Sequence, residues 1–203
     1  MLAEFRDDFP NAPEIDDLAA TVAGVLQSRG DPEGAAAVLD GVQGPKSSLE
    51  RAYLLLAEGA IEAGRSALLL ALTGLPPSDA TAVIQFAGLL GRLSTPGAQA
   101  LAEAGVKAHH GRHREAAMEL ADAAQQVERA EAPLVLAEAA RIAADGDEGA
   151  VAADIRAALI SEHPDAPEVA EASLALARYR ARTPRGVEEA IRLLEDLIMK
   201  DRK

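Results

Sequence analysis

Apolar residues recur along the chain at three- and four-residue intervals and seldom alternate. Leu18, Val22, Val25 and Leu26 form one such stripe, and Val187, Ala190, Ile191, Leu194 and Ile198 form another. That spacing puts them on one face of an α-helix. The runs break at SRGDPEG (28–34), GLPPSD (74–79), STPG (94–97), HHGRH (109–113), ADGDEG (144–149), EHPDAPE (162–168) and RTPRG (182–186). These breaks supply Gly, which closes a helix in the left-handed region, and Pro or Asp, which open the next one. The pattern predicts helices over 14–29, 32–42, 46–63, 65–74, 78–93, 96–109, 112–128, 132–144, 147–161, 167–182 and 185–201. No stretch alternates with period two for long enough to predict a strand.

The helices repeat. Pro10-Asn11-Ala12-Pro13-Glu14-Ile15 is echoed by Pro164-Asp165-Ala166-Pro167-Glu168-Val169, and each copy leads into an apolar helix, a basic Pro/Gly turn and a second apolar helix. Gly30, Gly64, Gly111 and Gly146 are each expected to end a helix, at steps of 34, 47 and 35 residues, with the next turn at Arg185. The long step leaves room for one inserted helix near 78–93. Small residues gather where paired helices would cross: Val22, Ala23, Leu26, Ala35 and Leu39 early in the chain, then Ala104, Gly111, Ala116, Leu120 and Ala123, and Leu174, Ala177, Ala181, Ala190 and Leu194 near the end. Close crossings need Ala or Gly at the contact.

With a stride near 34 residues, this pattern resembles the tetratricopeptide repeat, although the early Trp of that family is absent. The resemblance implies an all-α fold: a right-handed superhelical array of antiparallel helix pairs, a tetratricopeptide-like α-solenoid of about 11 helices, in one domain over 1–203. An irregular Ala-rich bundle is the competing architecture. In the family the first helix of each pair lines the concave face, and the resemblance thereby projects Arg51, Leu54, Glu58, Leu101, Leu136, Tyr179 and Arg182 onto it as partner-binding residues. Ala98, Gly105, Ala140, Ala143 and Ala172 fall on the same face. The recurring Lys and Asn with which family members clamp a peptide carboxylate are missing. The expected partner is therefore a protein or peptide offering a helical or extended apolar segment, bound by a non-catalytic scaffold. A second possibility is that the chain fills this face with its own inserted helix.

Composition agrees with helix: 46 Ala and 26 Leu make about a third of the 203 residues, against three Phe, two Tyr and no Trp. The formal charge of −13 repels phosphate backbones and argues against nucleic acid as a partner. Between Arg65 and Arg92 the only charge is Asp79, but Pro76 and Pro77 cut that apolar stretch into pieces too short for the ~20 residues a membrane span needs. The helix at 78–93 reads as apolar nearly all round and so as buried, either within the array or in a homodimer formed through 66–93 by Ile84, Phe86 and Leu90. The last helix reads as uncapped, which suggests a piece of a longer protein. MLAEFRDDFP lacks the basic and apolar regions of a signal peptide. A cytoplasmic site is expected, or a periplasmic one if an upstream signal has been removed, since the Pro-Asn/Asp-Ala-Pro junctions look similar to those of bacterial envelope tetratricopeptide proteins.

Reactive constellations are sparse. His109 and His113 have the i,i+4 spacing of a shared metal face, with His110 and Glu115 beside them, but Gly111 is expected to break the helix between them. Asp145-Gly-Asp-Glu-Gly lacks the later oxygen ligands of a calcium loop, and Asp147 reads instead as a helix N-cap. Paired carboxylates such as Asp16-Asp17 and Glu188-Glu189 sit in first turns, where they complement the helix dipole. No metal, cofactor or catalytic set is predicted.

Overall fold

A computed structural model describes Ala12 and residues 14–200. The described residues hold no strand and form eleven α-helices: α1 (Glu14–Ser28), α2 (Pro32–Leu39), α3 (Pro45–Ala57), α4 (Ile61–Ala71), α5 (Pro77–Leu90), α6 (Thr95–His109), α7 (His113–Ala123), α8 (Ala132–Asp145), α9 (Gly149–Glu162), α10 (Val169–Arg180) and α11 (Val187–Lys200). The fold is an all-α array, as expected. Consecutive helices pack as pairs at α1–α2, α3–α4, α8–α9 and α10–α11, whose first members start at 14, 45, 132 and 169. Between the second and third of these pairs lie α5, which covers the segment expected as an inserted helix, α6 and α7.

Two compact units make up the chain, residues 1–106 and 107–203. In the first, α1 packs on α2 and α3, α3 on α4, and α4 on α5. Ile15, Ala19 and Ala23 of α1 meet Ala35 and Leu39 of α2, Val42 and Leu54 in one buried cluster. Alanine at the crossings lets the helix axes approach closely, and burying a leucine such as Leu39 contributes about 2–3 kcal/mol. A polar contact then fixes where α3 begins. Gly44, its N-cap, offers no side chain; instead Asp16 on α1 accepts hydrogen bonds from the backbone N–H of Ser47 (2.7 Å) and Lys46 (3.1 Å). A Cβ on Gly44 would stand 2.2 Å from the Asp16 Cγ, so only glycine admits this contact.

In the second unit α8 packs between α7 and α9, α9 on α10, and α10 on α11. Ala139, Ala143, Ala152, Leu159 and Ala177 lie in its interior.

Two turns depart from expectation. Gly64 does not end a helix: it is buried inside α4, where a Cβ would lie 2.6 Å from Leu56 Cδ2. The break falls at Gly59, whose φ of +77° closes α3. After α8 the left-handed position is taken by Asp147 (φ 60°), so Asp147 is no N-cap; that place goes to Glu148, which makes no side-chain capping bond. Asp tolerates left-handed backbone better than most side chains.

Candidate functional site

Most residues projected onto a partner-binding face turn out to serve the chain's own packing. Leu54 belongs to the buried cluster of the first unit, and Leu101 is wholly buried. Arg51 is half-buried, its guanidinium donating to the carbonyl of Leu39 at 2.6 Å and to that of Val42, which satisfies the end of α2. Glu58 is exposed and caps the C-terminus of α3. Tyr179 is half-buried with the exposed Arg182 guanidinium 5.7 Å from its ring centroid, and its ring edge lies 3.0 Å from where a Cβ of Gly149 would be. Leu136 is buried but borders a groove described below.

The α5 helix, expected to be apolar and buried nearly all round, is not. It buries one face, Val83, Phe86, Ala87 and Leu90, and exposes Ile84, Gln85 and Gly88. Phe86 packs on Tyr53, ring centroids 6.2 Å apart, and its Cζ stands 2.2 Å from where Gly105 would carry a Cβ. Gly105, one of the residues projected onto a concave face, is thus covered by Phe86 of α5. Of the proposed self-association residues, Phe86 and Leu90 are occupied internally, while Ile84 remains at the surface.

His109 and His113 are separated by the helix break, as expected. His109 ends α6, Gly111 takes a φ of +79°, and His113 opens α7, so the first and third are not on one helical face. His109 and His110 meet edge to face, ring centroids 5.1 Å apart. His113 sits against Gly146 of the α8–α9 turn, where a Cβ would come within 2.2 Å of its own.

Two surface depressions lie within the second unit. One, of about 520 Å³, runs along α7 beside Gly146 and Glu148. Apart from Asp122, its carboxylates are paired: Arg112 with Glu115, Arg114 with Glu148 at 3.1 Å, and Lys107 with Glu119 and Glu115. The hydrogen bond from Arg112 draws the Glu115 carboxyl below the usual carboxylate range and raises the guanidinium in turn. A surface already paired in this way has little charge left for a partner.

The other depression, of about 470 Å³, lies where α7 ends early. Residues 124–131 link α7 to α8, the longest connection in the unit, and leave a gap over α8 and α9. Val127, Ala132, Leu136, Ile155 and Ala158 form its floor, and Asp122, Asp154, Glu162, Arg129 and His163 its edge. Asp122, Asp154 and Glu162 are exposed, and no described ion pair or side-chain hydrogen bond engages their carboxylates. An apolar floor of this size under an acidic edge suits an amphipathic segment with basic flanks. Sequence reasoning singled out only Leu136 here. The other residues come from three helices and a loop, and nothing in their local spacing joins them.

Neither family models nor curated proteins nor solved structures give a match to the chain.

Proposed function

We propose that the protein is a non-catalytic interaction module of tetratricopeptide-like helix pairs, and that it holds a partner's amphipathic segment in the α7–α9 groove. The apolar floor takes the segment's Leu-like face, and the acidic edge takes Lys or Arg beside it. One observation carries this reading: three unpaired carboxylates, Asp122, Asp154 and Glu162, surround an apolar floor built around Leu136 and Ile155. Three exposed carboxylates against the single Arg129 leave this edge net acidic, and a basic group arriving there lowers their mutual repulsion. The pairing of helices, with steps of 31 and 37 residues outside the insertion, supports the repeat reading.

The test is a fluorescein-labelled 14-residue peptide with Leu at i, i+3, i+4 and i+7 and Lys elsewhere, titrated in fluorescence anisotropy against a scrambled peptide of equal composition. The ordered peptide should bind saturably, and at least tenfold more weakly to both Asp122→Lys/Asp154→Lys and Ala158→Glu, each checked for unchanged helicity. Equal binding of the scrambled peptide, or full binding by both variants, would refute the groove.

A further inference from the structure

The strongest uncovered feature is the outer face of α11. Val187, Ile191, Leu194 and Ile198, at intervals of four, three and four, are 41, 50, 36 and 55% exposed. They form a stripe about 17 Å long at 1.5 Å per residue. Ala190 alone on this helix is fully buried among the hydrophobic residues, while Leu193 and Leu197 are half-covered. The helix therefore packs on α10 along one edge of a wide apolar arc and leaves the rest in water. By contrast α9, the second helix of the preceding pair, is covered by α8 on one side and α10 on the other.

A matching stripe exists on α1. Leu18, Val22 and Val25 repeat the four-and-three spacing of Val187, Ile191 and Leu194; Leu18 and Val25 are 43 and 44% exposed. Two further observations join the stripes. First, the chain contains the required junction once already: Pro164-Asp165-Ala166-Pro167-Glu168-Val169 leads from α9 into α10, which packs on α9, and Pro10-Asn11-Ala12-Pro13-Glu14-Ile15 leads into α1 in nearly the same residues. Second, the charges are partly complementary. Residues 178–185 carry Arg178, Arg180, Arg182 and Arg185 with no acid, Arg180 pairing with Glu189 of α11, whereas residues 14–40 carry six acids, of which Asp16, Asp17 and Asp31 are bonded within the chain, and only Arg29.

We infer that a second copy of this chain covers α11, its α1 stacking on α10 and α11 of the first as α10 stacks on α9. The contact joins two different surfaces, so it is heterologous: each assembled pair keeps one free stripe of each kind, one on each copy, and assembly continues into open chains or closed rings. The acidic first pair against the arginine-rich turn orients the encounter and makes it sensitive to salt.

Sedimentation velocity of the full chain over a hundredfold concentration range tests this. The mean mass should rise with concentration beyond that of a dimer, and fall back in high salt. Ile191→Glu removes one stripe and Val25→Glu the other; both positions are about half exposed, so the helical signal in circular dichroism should be unchanged. Each variant alone should be monomeric. Mixed, they retain one intact stripe of each kind and should form a dimer and nothing larger. Wild-type chain that stays monomeric throughout overturns the inference. So does a dimer that Ile191→Glu dissolves and Val25→Glu does not, which would be a symmetric α11 contact, and so does failure of the two variants to pair.

Discussion

Asp16 shows how one side chain joins two helix pairs. Burial pushes its carboxyl up, but the hydrogen bonds from Ser47 and Lys46 outweigh this and hold it below its ordinary value. The unfolded value is about 3.9. The stabilisation is therefore complete above that pH and is lost as the pH falls through the lower, folded value. Asp16→Ala should cost about 1–2 kcal/mol at pH 7 in urea denaturation, and the gap between variant and wild type should close in strong acid. Packing at Gly105 and Leu101 is equally specific. Gly105→Ala forces its methyl group into the Phe86 ring and should destabilise by about 1–3 kcal/mol; Leu101→Ala opens a cavity and should cost about 2–5 kcal/mol. Neither effect should depend on a partner, which separates these positions from the groove.

At the scale of elements, the helices were legible because their ends are punctuated. Asp31, followed by Pro32, caps α2 through a 2.9 Å bond from the Gly34 N–H, and the RGDPEG turn announces it. The α3–α4 turn carried no such mark. Glu58-Gly59-Ala60 has neither Pro nor Asp, and Gly64 lies 34 residues after Gly30, so the supposed stride favoured the wrong glycine. Close packing on Leu56 explains Gly64, and the left-handed turn explains Gly59; two glycines five apart cannot be told apart without knowing what crosses them. Gly59→Ala should cost about 1 kcal/mol from its positive φ, readable in the same denaturation series. For α5 the hydrophobic pattern was misleading in the other direction. Its composition suggested burial on all sides, yet one apolar face suffices to pack it, and Ile84 remains outside. Of the groove only Leu136 was legible, since the early end of α7 and the acids of α9 meet only through the fold.

For the whole molecule, charge and small-residue packing set the terms. A formal charge of −13 disfavours association unless the contact brings basic groups, as a Lys-flanked segment would at the groove and as the 178–185 arginines would at α11. Both proposed contacts should weaken with salt, whereas the alanine-lined interior should not. That interior has a thermal consequence. A methyl side chain brings less apolar area out of water on unfolding than leucine or phenylalanine does, and heat capacity follows that area. Differential scanning calorimetry should therefore give a heat-capacity increment below the roughly 12–15 cal/mol/K per residue of ordinary globular proteins. The stability of the chain should then vary only gently between cold and warm conditions, with its cold-denaturation limit pushed far below freezing.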